Sequence, residues 1–95
     1  MIQEEYIAKI KEIIGKNVSS EVGAKFFIFG SSVLSEKFSD VDLGFLGEVS
    51  GNQASKIREE LEESPIPYKF DLVDFDNVEE SFKNKVLNEK IIWLI

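Results

Sequence analysis

The sequence predicts one small α/β domain built around a single sheet, and three observations lead to this fold class. The chain has 95 residues, which suffices for one hydrophobic core and is too short for two. Short apolar runs typical of buried strands recur along it, and segments with apolar residues at helical spacing separate them. No repeat, linker or low-complexity stretch interrupts this order, so residues 1–95 are taken as a single domain.

The first half of the chain is predicted to form helix, strand, turn and strand. Residues 2–16 carry isoleucines at helical spacing between Glu and Lys, which indicates an amphipathic helix. Residues 24–29 are a continuous apolar run that suits a strand buried on both faces. A turn at residues 30–32, a short helix at 33–37 and a second strand at 41–46 follow.

The second half is predicted to form helix, strand, helix and a strand-like tail. Ser50 and Gln53 have the spacing of a capping box, which begins a helix that the prolines of residues 64–67 end near residue 63. Residues 68–75 form the third strand, and Asp76 or Asn77 caps the last helix. The core face of this helix is predicted to comprise Val78, Phe82, Val86 and Leu87. Residues 91–95 are an apolar tail, expected at the core or at the sheet edge.

Composition excludes several functional classes. The chain has a net charge of −7 and neither cysteine nor histidine, which rules out disulfides, Cys/His zinc sites and triads that use histidine. No basic stripe is visible, so direct nucleic-acid binding is not expected. No leader sequence and no membrane span are recognisable, which favours a soluble cytoplasmic protein without a membrane partner. The sequence leaves the oligomeric state open.

Three aspartates are the candidate catalytic and metal-binding residues. Asp40 and Asp42 are two residues apart in a strand, so both carboxylates lie on one face while Val41 and Leu43 point into the core. Asp71 lies inside another apolar strand, where an uncompensated carboxylate is costly. Three such carboxylates can hold two Mg²⁺ ions for phosphoryl transfer, and Asp71 is then suited to act as general base.

Plainer interpretations of the aspartates remain open. Asp40 follows Ser39 and would be ordinary in a turn. Asp74 is read as a charge at a strand end and Asp76 as a helix cap, so neither belongs to the predicted site.

Gly30 and Ser31 are the candidate nucleotide-binding residues. A glycine at a strand end lets the backbone approach a ligand closely, and the Ser31 hydroxyl can donate to a phosphate oxygen. The alternative is a strand-to-helix turn in which a serine is the cap. Gly44 shares the face of Asp42 and either leaves room for a nucleotide or permits close packing. Lys37 and Lys69 are weaker candidates for phosphate contacts, because surface lysines are usually solvated.

These motifs resemble the minimal nucleotidyltransferase (MNT) family of the DNA polymerase beta-like superfamily. The resemblance rests on Gly30-Ser31 after a strand, Asp40-Val41-Asp42 on the next strand, and Asp71 on a later one. It implies the nucleotidyltransferase fold, a small mixed sheet with helices mainly on one face. It also implies ATP with Mg²⁺ as the donor and transfer of a nucleoside monophosphate with release of pyrophosphate.

The resemblance further implies a protein partner. Family members commonly pair with a HEPN-domain protein, in which case the MNT protein resembles an antitoxin that adenylylates a hydroxyl of the toxin. The spacer between Gly30-Ser31 and Asp40 is shorter than usual and lacks Gly and Arg, which predicts weaker triphosphate binding. The sequence therefore leaves three hypotheses: an enzyme acting on a protein hydroxyl, a binding module that neutralises its partner by occlusion, and a domain whose aspartates are incidental.

Overall fold

A computed structural model describes residues 1–19 and 23–95, and in these ranges four helices alternate with four strands. The elements are α1 Glu4–Asn17, β1 Lys25–Phe29, α2 Ser31–Leu34, β2 Asp40–Leu46, α3 Gly51–Glu63, β3 Lys69–Asp74, α4 Glu80–Leu87 and β4 Ile92–Trp93. None of the helices in these ranges has the length and apolar character needed to cross a lipid bilayer.

The strands form one mixed sheet in the order β3-β2-β1-β4. Strand β2 is antiparallel to β1 and parallel to β3, and β4 is antiparallel to β1. The parallel pair requires a crossover connection, which α3 supplies between β2 and β3. The mixed sheet confirms the predicted fold class, and the apolar tail forms the edge strand β4.

The core lies on both faces of the sheet, but unequally. On one face, Phe26, Ile28, Val41 and Leu43 are fully buried beneath α1 and α3, as expected for helices packed mainly on one side. On the opposite face a smaller aromatic cluster gathers around α4, and it consists of Phe27, Phe29, Phe75 and Val86. The part of this second face that the cluster leaves open carries the aspartates.

Most predicted elements are confirmed to within a few residues, and the capping box of α3 is complete. The Gln53 backbone N–H donates to Ser50 Oγ at 3.1 Å, and the Ser50 N–H donates to Gln53 Oε1 at 2.9 Å. The short second helix begins at Ser31, directly after Gly30, and not at residue 33.

The predicted start of the last helix is wrong. Helix α4 begins at Glu80 with Glu79 as its N-cap residue, and Asp76 instead accepts a hydrogen bond from the Gly47 N–H at 2.8 Å. The cause is Asp74, whose side chain accepts the Asp76 N–H at 3.0 Å and extends the turn after β3. The core face of α4 is also smaller than predicted, because Val86 is buried whereas Phe82 is 40% exposed.

Candidate active site

The register of β2 and β3 brings two of the predicted aspartates side by side. Asp42 and Asp71 are directly paired residues of these parallel strands, so their side chains leave the same face of the sheet. Asp40 lies two residues before Asp42 in β2 and shares that face, while Val41 and Leu43 are fully buried on the other. Asp40 is the first residue of β2 and pairs with Lys69, so its interpretation as a turn residue is wrong.

The environment of Asp42 disfavours its negative charge. Asp42 is half-buried, whereas Asp40 and Asp71 are exposed. Partial burial raises the pKa of the Asp42 carboxyl above its ordinary value, and the charges of Asp71 and then Asp40 raise it further. Both neighbouring carboxylates are therefore close enough to affect Asp42, so a cation or a proton at Asp42 would relieve the repulsion.

Gly30 connects the Gly-Ser turn to this carboxylate. Its backbone has φ +79° and ψ −153°, a conformation essentially restricted to glycine. A Cβ atom at this position would lie 2.7 Å from Asp42 Oδ2. The glycine thus allows the backbone of the turn to pass directly beside Asp42, so the two predicted motifs lie next to each other.

The serines of the turn do not have the alternative role of a helix cap. Gly30 is the N-cap residue of α2 and no side chain caps the helix, while Ser31 is its first residue and is exposed. The hydroxyl of Ser31 therefore lies at the surface next to Gly30, where the predicted phosphate contact requires it. Whether it binds phosphate stays a prediction.

The burial of Ser32 is a feature that sequence periodicity does not predict. Its side chain is completely buried, and within the described ranges its Oγ has no hydrogen-bond partner. An unsatisfied buried hydroxyl is costly, so Ser32 is a local weak point of the turn. Its carbonyl accepts the Ile2 N–H at 2.8 Å, which attaches the segment before α1 to α2.

Gly44 belongs to the core and not to the site. A Cβ on Gly44 would lie 2.5 Å from the Phe27 ring and 2.6 Å from the Phe75 ring. Of the two interpretations of this glycine, close packing is therefore correct, and the space expected for a nucleotide is filled by aromatic side chains.

An open groove of about 640 Å³ lies beside Asp40. It is lined by Ser39, Asp40, Ile66, Pro67, Tyr68 and Lys69. Lys69 precedes Asp71 by two residues in β3 and so lies on the same face. The groove thus joins Asp40 to the start of β3, whereas Gly30 approaches Asp42 from the end of β1.

A comparison with known protein families identifies the family to which this chain belongs. The family model described as "Polymerase beta, Nucleotidyltransferase" matches residues 8–94, which include the turn and all three aspartates. The chain belongs to this family. It is therefore a nucleotidyltransferase domain, and its general activity is transfer of a nucleotide. The chain matches no curated protein sequence at a significant level.

Members of this family typically use a nucleoside triphosphate and a divalent metal ion. The donor set of the nucleotidyltransferase fits such an ion chemically, because hard divalent cations prefer carboxylate oxygens. In residues 1–19 and 23–95, however, no group of three Asp, Glu, His or Cys side chains is arranged so that it could hold a metal ion. The strands place the carboxylates on one face of the sheet but do not arrange them as a complete metal-coordination site.

Proposed function

We propose that the nucleotidyltransferase moves a nucleoside monophosphate from ATP to a hydroxyl group in a reaction that depends on Mg²⁺. The observation that carries this proposal is the pairing of Asp42 with Asp71 beside Gly30. It places carboxylates, which suit hard cations, beside a backbone turn that suits phosphate, within a chain of the polymerase beta nucleotidyltransferase family.

In this proposal each residue of the site has a role that follows from its position. Asp40 and Asp42 would hold two Mg²⁺ ions, and Asp71 would complete one of these sites. The ions, when bound, supply positive charge to the attacking and leaving oxygens. Gly30 and Ser31 hold the phosphates, and Asp71 accepts the proton of the attacking hydroxyl.

The positions of the turn and the groove suit an in-line displacement. Gly30 approaches Asp42 from β1, so the leaving pyrophosphate belongs on that side. The attacking hydroxyl must then come from the opposite side, where Asp71 lies and the groove beside Asp40 opens. The acceptor in this proposal is a protein hydroxyl, as the resemblance to MNT proteins implies. The resemblance to MNT proteins supports a HEPN-domain toxin as the acceptor, with this chain as its antitoxin.

Replacement of Asp42 tests the proposal. Transfer of labelled AMP from ATP to the partner protein should be abolished in Asp42→Asn and in wild type treated with EDTA. Glu62→Gln removes one negative charge from the exposed surface of α3 and is the matched control with full activity expected. Full transfer by a folded Asp42→Asn variant would refute the assignment.

A second candidate function is neutralisation of a partner by occlusion. It is favoured by the lack of a preformed three-ligand group in the described ranges and by exposed apolar side chains on β4 and beyond, where Trp93 is 50% and Ile95 36% exposed. A triple variant in which Asp40, Asp42 and Asp71 are all Asn separates the two functions. Neutralisation by this variant would support occlusion, whereas its loss with binding retained would support catalysis.

A further inference from the structure

Phe82 is a large aromatic side chain that α4 leaves exposed. Its ring stacks on Phe75, with centroids 5.6 Å apart and an interplanar angle of 23°. It also meets Phe29 edge to face at 6.4 Å and 77°. Phe75 is fully buried, whereas Phe82 is 40% exposed, so the ring rests on the core with one side supported and the other open to solvent.

The position of Phe82 relative to the carboxylates follows from the sheet. Phe29 and Asp42 are directly paired residues of the antiparallel strands β1 and β2, so their side chains are neighbours on one face. Phe82 contacts Phe29 and therefore lies one aromatic ring away from Asp42. A ribose separates the base of a nucleotide from its α-phosphate. A surface that binds the base should therefore lie near the carboxylates without touching them.

Trp93 is similarly exposed on the same face but lies elsewhere. It pairs with Phe27, and Phe27 pairs with Gly44, which places Trp93 two residues along the sheet from the level of Asp42. Its ring contacts that of Phe27, with centroids 5.2 Å apart, and in the described part of the chain it contacts no ring that adjoins an aspartate. Among residues 1–19 and 23–95, two aromatic rings on this face are thus exposed, and of these two Phe82 is the one beside the aspartates.

We propose that Phe82 is the stacking platform for the base of the bound nucleotide and gives the site a preference for purines. The inference rests on the proposed function, because it requires a nucleoside triphosphate at Gly30 and Asp42. A base stacked on an aromatic side chain gains affinity without base-specific hydrogen bonds, and a larger π-surface gains more. The existing stack on Phe75 fixes the Phe82 ring in advance, which lowers the entropy cost of ordering it on binding.

Dissociation constants measured by titration calorimetry test this assignment, with ATP, CTP and inorganic tripolyphosphate as probes, each with Mg²⁺. The informative variant is Phe82→Leu, which keeps an apolar side chain on Phe75 but removes the flat ring. We expect it to weaken ATP binding about tenfold, to reduce the preference for ATP over CTP, and to leave tripolyphosphate binding unchanged. Phe82→Tyr should retain wild-type affinity, and the control Trp93→Leu should change none of the three constants.

The outcomes separate this inference from the function on which it rests. Suppose that wild type binds ATP and tripolyphosphate and that Asp42→Asn loses both. The nucleotide site is then supported, and a Phe82→Leu variant that binds ATP as tightly as wild type would refute the stacking role of Phe82. If wild type binds neither probe, the proposed function fails and the platform fails with it. Equal weakening of ATP and tripolyphosphate in Phe82→Leu would also refute a stacking role, because it would show a general disturbance of the site.

Discussion

The backbone of Gly30 lies so close to the carboxylate of Asp42 that no side chain fits between them. The glycine has a positive φ, and the nearest carboxylate oxygen stands 2.7 Å from where a Cβ would be. A side chain at this position would strain the backbone and displace Asp42 together. The backbone of the Gly-Ser turn and the Asp42 carboxylate are therefore too close together for any residue but glycine at position 30.

Gly30→Ala should lower stability by about 1–3 kcal/mol and reduce nucleotide binding, because strain and displacement act on the same two residues. Urea unfolding and a Kd for ATP measure the two effects. Gly15→Ala is the matched control: Gly15 is helical, its Cβ would meet nothing within 4 Å, and alanine there should stabilise the chain by about 0.5–1 kcal/mol. A Gly30→Ala variant as stable as Gly15→Ala, with unchanged ATP affinity, would contradict the special role of Gly30.

Asp42→Asn should stabilise the metal-free protein at neutral pH. The pKa of Asp42 is raised by burial and by its acidic neighbours, so the folded chain holds this proton more tightly than the unfolded chain. Ionisation of Asp42 therefore lowers the unfolding free energy as pH rises through the raised pKa. Asparagine cannot ionise, and we expect a gain on the order of 0.5 kcal/mol after solvent screening.

The pH dependence of this gain provides its own control. The gain should disappear when pH falls below the ordinary carboxyl value of 3.8, because Asp42 is then protonated in both states. Asp40→Asn should give a smaller gain at neutral pH, since Asp40 is exposed and its removal relieves repulsion alone. A variant that is less stable than wild type at neutral pH would show that the carboxylate is already compensated.

Sequence reasoning located the carboxylates because their geometry is local. The two-residue period of a strand places Asp40 and Asp42 on one face, and the apolar neighbours of Asp71 mark it as unusual. The contact of Gly30 with Asp42 and the filling of the space at Gly44 depend on rings and strands distant in sequence. Phe82 was assigned to the core because helical periodicity cannot show that α4 covers only part of its face.

At the level of elements, local hydrogen bonding decided which boundaries were predictable. The capping box of α3 is contained in four residues, so the sequence revealed it. The start of α4 depended on competition, because the Asp74 side chain bonds the backbone of the following turn and leaves Asp76 free to accept from Gly47. A potential cap residue can therefore form its hydrogen bond with a different element. The sequence alone does not show which of these hydrogen bonds forms.

The C-terminal end of α1 is attached to α3 by side chains. The Asn17 side chain donates to the Ile13 carbonyl at 2.8 Å and to Glu60, and Gln53 Nε2 donates to the Asn17 carbonyl at 3.1 Å. Hydrogen bonds from Asn17 and then Lys16 hold the pKa of Glu60 below its ordinary value. These contacts join the two helices that support the sheet face behind the aspartates.

Gln53→Ala should destabilise the protein by about 1 kcal/mol, because it removes half of the capping box and the bond to Asn17. Gln53→Glu keeps an acceptor for the Ser50 N–H but loses the donor to Asn17, so it should lose about half as much. Thermal unfolding of the three proteins measures both steps. Equal losses would assign the whole effect to the contact between helices.

At the scale of the whole molecule, three acidic side chains lie together on the face of the sheet that helices cover least. The net charge is −7, and the open part of the second face presents Asp40, Asp42 and Asp71 together. One side of the sheet is packed by α1 and α3, whereas the aromatic cluster covers only part of the other side, where Trp93 is 50% exposed. The acidic group that lowers stability lies on this less covered side.

The final prediction is that ligand reverses the stability order of wild type and Asp42→Asn. Without metal the variant is the more stable protein, for the electrostatic reason given above. With ATP and Mg²⁺ at ten times the wild-type Kd, binding should stabilise wild type by about 1.4 kcal/mol, or roughly 6–10 °C, and the variant by far less. Thermal unfolding with EDTA, with ATP and Mg²⁺, and with NaCl of equal ionic strength distinguishes binding from screening. A reversal absent in NaCl would show that the instability at Asp42 is relieved by the ligand itself, whereas an unchanged order would mean that these aspartates do not form the nucleotide site.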